Sequence, residues 1–316
     1  MEPMNTTDQR ARGIIAILAA AFIWGTIPLI LNHVDGAPVI KVFYRVFFAA
    51  IVLTLWLTVA KRWRKVAELD RRTIIGLTVQ GLILTINWVL FLGAFERTNV
   101  AVVELLGYMG PVFVALIAPL FLNERFDKRI FIPLALSVGG MVVILAPQGL
   151  HIGSGEFVGA AMAAASAVTY AMLTIQSKRL MKHASNDVII WFEYVVASVV
   201  LLPFALYQYS LGNGPSTIGA YGGLVVLGVV QTALAGWIFF AGLKRLRADQ
   251  AAIFTYGEPV VAVVLAALFM SQHITLTTLL GGVLVIAGGT IVARMDTSAG
   301  VDISPIEIAG AAKEDD

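Results

Sequence analysis

Residues 92–126 read LGAFERTNVAVVELLGYMGPVFVALIAPLFLNERF, and residues 240–274 read FAGLKRLRADQAAIFTYGEPVVAVVLAALFMSQHI. At a shift of 148 they superpose Arg97 on Arg245, Tyr108 on Tyr256, Pro111 on Pro259 and Val112 on Val260. Ala118 then meets Ala266, Leu120 meets Leu268 and Phe121 meets Phe269. One extra residue in the next loop brings Gly139-Gly140 onto Gly288-Gly289. Matches confined to corresponding apolar stretches point to an internal duplication, so the chain is read as two copies of one unit.

Both copies are too apolar for water. Of 316 residues, 59% are hydrophobic and 13% charged, against roughly one half and one quarter in a soluble domain. An apolar run of roughly 20 residues crosses the ~30 Å hydrocarbon core as a helix. Ten such runs fall near 13–32, 39–60, 73–95, 100–122, 130–146, 157–177, 188–207, 219–242, 251–270 and 275–293, numbered here spans one to ten. Five spans per copy is an odd number, so the second copy must thread the membrane in the opposite sense. The expected fold is an all-α membrane protein of ten transmembrane helices arranged as two inverted five-helix repeats, 13–146 and 157–293. A cytoplasmic tail 1–12, an external linker 147–156 and a disordered cytoplasmic tail 294–316 complete it.

Charge gives the orientation independently. Short loops rich in Lys and Arg stay cytoplasmic, and nineteen of the 22 basic residues lie on one side. They are Arg10 and Arg12; Lys61, Arg62, Arg64, Lys65, Arg71 and Arg72; Arg125, Lys128 and Arg129; Lys178, Arg179 and Lys182; Lys244, Arg245 and Arg247; Arg294 and Lys313. The opposite loops hold only Arg97, so both termini are expected in the cytoplasm, with the chain a multi-pass protein of a bacterial inner membrane. Arg10 and Arg12 before an apolar run with Ala19-Ala20-Ala21 imitate a cleaved leader. The run is read as a retained span, because its loss would leave nine spans and reverse the new terminus.

Catalysis has little to stand on. With no Cys there is no disulfide framework, thiolate metal site or cysteine nucleophile. His33, His151, His183 and His273 lie in loops or at span ends, and Gly153-Ser154-Gly155 is a turn without the spacing of a nucleophile elbow. No catalytic residue, metal or cofactor is expected. Topology accounts for the basic loops, so nucleic acid is not an expected partner; a small-molecule substrate and membrane lipid are, with the chain acting as a monomer.

Inverted repeats are a hallmark of secondary transporters, whose substrate site lies near the midplane between the halves. The chain resembles the drug/metabolite transporter superfamily in its ten-helix EamA-type exporter branch over about residues 13–293. The resemblance rests on the two five-span halves, on Trp24-Gly25, and on Tyr108-Met109-Gly110-Pro111-Val112-Phe113 leading to Asn123-Glu124-Arg125. The second half repeats it as Tyr256-Gly257-Glu258-Pro259-Val260, with Gln272 where the family usually has a glutamate. That departure makes Glu124 a residue that caps or bridges a helix end. The resemblance implies export of small metabolites, with amino acids prominent among possible substrates.

The path residues are sought inside the spans. Proline removes a backbone donor and displaces the carbonyl four residues earlier, so Pro28, Pro111 and Pro259 are candidate hinges that free the carbonyls of Trp24, Gly107 and Thr255. Glu104, Tyr108 and Pro111 share one face of span four. Gln80, Leu84, Asn87 and Phe91 form a stripe on span three with Trp88 beside it, and Ser166, Tyr170, Thr174 and Ser177 form one on span six. Gln231 lies near the middle of span eight. Lipid offers such groups no partners, so they should face the bundle interior; interhelical hydrogen bonding is the alternative use for Gln80, Gln231 and the hydroxyls. Tyr44, Trp63, Trp191, Tyr207, Tyr209 and Tyr221 fit interfacial belts. Trp24, Trp88, Tyr108, Tyr170, Trp237 and Tyr256 lie deeper and are read as path lining.

Intramembrane charges are few: Lys41, Arg45, Glu104, Glu193 and Glu258. Lys41 and Glu193 are read as snorkelling or hydrated. Arg45 answers a substrate carboxylate or pairs with Glu104, and Glu258 is the preferred proton or ammonium partner. The expected function is secondary export of neutral or aromatic amino acids by alternating access. The competing readings are an intramembrane enzyme using Glu104 and Glu258, and a sugar-nucleotide or organic-phosphate carrier. The latter needs more cations than Arg45 and Lys41.

Overall fold

The computed structural model describes residues 6–122, 127–148, 156–269 and 275–295. Ten helices among them are long and apolar enough to cross a membrane: Asp8–Leu31, Pro38–Val59, Arg71–Phe95, Val102–Leu122, Lys128–Leu145, Phe157–Leu180, Asn186–Ser210, Ile218–Leu243, Ala248–Phe269 and Leu276–Arg294. The Asn123-Glu124-Arg125 segment, the Gly153-Ser154-Gly155 turn, Gln272 and the tail from Thr297 lie outside the described residues. Several spans start on caps legible in the sequence. The side chains of Asp70, Asn99, Thr217 and Thr275 each accept from a backbone amide in the first turn, satisfying donors that a helix start leaves open.

The first helix begins at Thr6, inside the stretch expected as a tail. Its first turns project past the apolar run because Arg10 donates to the Val292 carbonyl at 2.7 Å and Arg245 donates to Gln9 at 3.2 Å. A short helix, Trp63–Ala67, occupies the loop between spans two and three.

Helix neighbours obey one rule. Span three packs on six as eight packs on one, span seven on three as two on eight, and span four on six as nine on one. Spans two and seven, four and nine, and five and ten pair with each other. Adding five to every span number therefore maps the packing onto itself, as a two-fold between repeats requires. Atomic detail follows: a Cβ on Gly228 would lie 2.5 Å from the Phe48 Cβ and 3.1 Å from the Arg45 carbonyl. One on Gly81 would lie 2.6 Å from the Val196 Cβ and 3.2 Å from the Glu193 carbonyl. Phe48 and Val196 are 148 apart, as are Arg45 and Glu193. Spans five and ten cross closest at Gly140 and Gly281, where each glycine's added Cβ would sit 2.5 Å from the other's carbonyl oxygen. Association in lipid depends on such close backbone approach, because apolar side chains gain little by leaving one another for hydrocarbon tails.

Candidate functional site

Three spans are interrupted. Span one breaks at Thr26, between Thr6–Gly25 and Ile27–Leu31. Span four breaks at Tyr108-Met109, between Val100–Gly107 and Gly110–Leu122, and span nine at Thr255-Tyr256, between Ala248–Phe254 and Gly257–Phe269. The latter two breaks are symmetry mates and face one another: the Tyr108 and Tyr256 rings lie 6.3 Å apart, and the Tyr256 hydroxyl donates to the Tyr108 carbonyl at 2.6 Å. Pro111 and Pro259 fall in the first turn of the second half-helices, where a missing N–H costs least. They are buried and so shape the breaks from within the bundle, whereas Pro28 faces outward.

One freed carbonyl differs from expectation. The Thr255 carbonyl accepts the Glu258 amide at 3.0 Å, so it is not liberated.

Beside the breaks stands Arg45. Its guanidinium carbon lies 4.7 Å over the Trp88 ring and its Nε donates to the Thr232 hydroxyl at 3.2 Å. Of the two roles read for Arg45, pairing with Glu104 is not the one found: no ion pair joins them among the described residues. Arg45 and Glu104 each interact electrostatically with Glu258, and both glutamates with Tyr108. Glu104 and Glu258 make no ion pair or hydrogen bond through their carboxylates among the described residues. All four side chains are only partly buried. Tyr170 closes one side, its hydroxyl 3.5 Å from that of Thr255.

Thr232 belongs to a feature that the sequence pattern did not announce. Span eight widens into a π-helical stretch, Leu227–Leu234, between α-helical ends. The Thr232 hydroxyl turns back to the Leu227 carbonyl at 2.8 Å, and Tyr194 of span seven donates to the Thr232 carbonyl at 3.1 Å. Such π-turns appear frequently at functional sites; here one holds the hydroxyl that receives Arg45. Thr232, Tyr194 and the equivalence of Arg45 with Glu193 are additions to the site. Only the last was within reach of the sequence, by carrying the shift of 148 beyond the aligned segment.

The remaining expected residues divide. Gln231 is buried and joins spans eight and one: its side-chain amide donates to the Thr26 hydroxyl at 3.1 Å and its backbone carbonyl accepts the Trp24 indole at 2.9 Å. Trp24 packs against Phe239, with ring centroids 5.3 Å apart. Asn87 donates to the Ser166 carbonyl and the Thr169 hydroxyl at 2.7 and 2.9 Å, tying span three to span six. Phe91 packs edge-on to Phe95 and against Gly107. These four stabilise helix contacts next to the site. Trp237 is a correction: it is 43% exposed on the outer surface, 6.1 Å from Trp56, because the π-turn and the following helix rotate that side chain away from the interior.

Glu193 is a second correction. It does not snorkel; it is buried and accepts the Gln80 amide at 2.7 Å. Of the belt residues, Tyr44, Tyr209 and Tyr221 join through their hydroxyls at 2.9 and 2.7 Å, closing the ends of spans two, seven and eight. The adjacent turns are latched by Asp35, whose carboxylate accepts the Ser216 hydroxyl and amide. Among the described residues no cluster of three metal-ligating side chains occurs.

A family model described as the EamA-like transporter family matches this chain twice, over residues 11–146 and 157–294. An uncharacterized transporter of Archaeoglobus fulgidus is 29% identical over 87% of this chain and 94% of its own length. Protein RarD of Salmonella typhimurium is 25% identical over 84% of this chain and 88% of its own. The pseudopaline exporter CntI of Pseudomonas aeruginosa (strain UCBPP-PA14) is 26% identical over 88% and 95%. A solved crystal structure shares the fold with a TM-score of 0.77 at 18% identity, covering 90% of this chain and 97% of the other.

Proposed function

Because the chain belongs to the EamA-like transporter family, and is a multi-pass membrane transporter, we propose that it exports neutral amino acids or similar zwitterions, above all large apolar or aromatic ones, across the inner membrane. The observation that carries this reading is a cluster in the bundle where both signs of charge stand beside aromatic faces. Arg45 over Trp88 takes the substrate carboxylate, Glu258 takes the ammonium group, and Tyr108, Tyr170 and Trp88 receive the side chain. A guanidinium suits a carboxylate because it offers parallel donors, and aromatic contacts add about 0.5–1.5 kcal/mol beyond burial. Outward transport is supported by the relative named as an exporter. The two repeats rock about the breaks at Tyr108 and Tyr256, so that the Tyr44–Tyr209–Tyr221 end and the opposite end open in turn.

Uptake and efflux of Phe, Trp, Thr, Lys and an uncharged drug by proteoliposomes test the proposal. Movement of Phe and Trp ahead of the others is expected. Transport of Lys or the drug without the aromatic amino acids overturns it.

A further inference from the structure

One ionisable group in the bundle is left unused by the site just described. Glu193 is 5% exposed, and Gln80, which touches it, is fully buried. The Gln80 amide nitrogen faces three oxygens, those of Glu193 and Ser177 at 2.7 Å and the Leu173 carbonyl at 3.3 Å, with two hydrogens to share. The same amide's Oε1 is buried with no partner.

Among the described residues no cation pairs with Glu193. Arg45, on span two, is turned to Trp88 and Thr232. Span three has no ionisable residue between Arg72 and Glu96, and span eight has only Tyr221 at its far end. On span six, the Lys178 ammonium donates to the Leu246 carbonyl. On span seven itself, Asp187 is paired with Arg62 at 2.8 Å, and the Tyr194 hydroxyl is held by Thr232. A buried carboxylate with neither cation nor water gives up its charge. Neutralisation keeps the observed bond, since the carboxyl oxygen that accepts the Gln80 amide does so in either charge state, and it supplies a donor beside an amide whose Oε1 has no partner.

We propose that Glu193, with Gln80 and Ser177, is a proton-binding site, and that the bound proton is exchanged for solute; this rests on the transport reading above. A proton from external water bonds to one Glu193 oxygen in the outward-open state. It leaves to cytoplasmic water after the repeats swing. A surface hollow of about 410 Å³ lined by Lys65, Lys182, His183 and Ser185 lies at the start of the same helix. Ser185, Ile189 and Glu193 stand on one stripe of the helix, about 12 Å from end to end at 1.5 Å per residue. Ile189, fully buried, stands between the hollow and the carboxyl. A sodium ion is disfavoured because the amide nitrogen already fills the space between the oxygens.

The test has two independent readouts on the full chain. Infrared spectra of the purified protein should show a protonated-carboxyl band that Glu193→Gln removes and that Gln80→Leu retains at shifted frequency, since the acid loses its amide partner. In proteoliposomes, wild-type Phe efflux should rise several-fold with acid outside, and Glu193→Gln should bring the ratio with and without the gradient to unity. If Phe does not move in the wild type, the substrate reading fails while the infrared band still decides the site. Spectra of wild type and Glu193→Gln that coincide, or efflux that follows a sodium gradient and ignores pH, overturn the proton site.

Discussion

At the residue scale, the site rests on two charges placed differently by their surroundings. Arg45 is held by an aromatic face and a hydroxyl, which leave its remaining donors for a ligand. Substituting Arg45→Gln removes a charge-assisted hydrogen bond of about 1.5–3 kcal/mol, so KM for Phe in proteoliposomes should rise about 10- to 100-fold. Arg45→Lys should recover only part of it, because the ammonium is a point charge without a planar fork. Asp35 lies outside the spans and supplies the pH dependence. Hydrogen bonding from Ser216 first, opposed by slight burial, holds its carboxyl below the ordinary value of 3.8. A lowered folded value stabilises the latch at all pH above 3.8 and loses that contribution as pH falls through the folded value. The difference in Tm between wild type and Asp35→Asn should therefore hold steady from neutral pH down to about 3.8 and vanish below it. Reading these residues from sequence singles out Arg45 and Glu258 as candidates, since an intramembrane charge is costly enough to mark itself. It failed for Trp237, because depth along a span does not say which face a side chain takes.

At the element scale, the breaks in spans four and nine are mates in position, and at span nine the Thr255 carbonyl already accepts the Glu258 amide. An alanine at 111 or 259 brings back the backbone N–H that proline lacks and relieves the ring's clash with the preceding turn. Pro111→Ala combined with Pro259→Ala should therefore slow Phe efflux by about 2- to 10-fold, the rate equivalent of one net hydrogen bond of about 0.5–1.5 kcal/mol. Unchanged efflux in the double variant would remove the prolines from the mechanism. Gly228 tests the packing of span two on span eight, where an added methyl would meet the Phe48 Cβ at 2.5 Å. Gly228→Ala should cost about 1–3 kcal/mol through overpacking, read as a lowered Tm in detergent. The caps at Asp70, Asn99, Thr217 and Thr275 were legible because N-capping is a local bond. The π-turn at Leu227–Leu234 was not: its extra residue is held by contacts from spans two and seven, remote in sequence.

At the scale of the whole molecule, the alternation of basic loops predicts an orientation that chemistry can check on an intact cell. The chain has no Cys, so single cysteines introduced at Gly212 and Lys65 report without background. Labelling of the first from outside and of the second only after permeabilisation is expected, and the reverse pattern would invert the proposed direction of transport. The packing rule that carries each span onto the one five later also makes the two end closures comparable. Tyr44, Tyr209 and Tyr221 join spans two, seven and eight at one end, and Trp63 and Trp191 meet edge-on at 5.2 Å beside the Arg62–Asp187 pair at the other.

From its amino acids alone the chain determined its solvent, its ten spans and its division into two repeats. These follow from hydropathy over a bilayer's thickness and from direct matches between the halves, both of which are properties of contiguous segments. Which polar groups meet was decided only by tertiary structure. Gln80 and Glu193, or Arg45 and Thr232, are far apart in the chain, and a helix offers each side chain several faces. Glycine contacts such as Gly81 on Val196 and Gly228 on Phe48 set the rotation and depth of each helix. With that rotation Trp237 is exposed, Glu193 is buried, and Arg45 stands close enough to Glu258 to interact with it electrostatically.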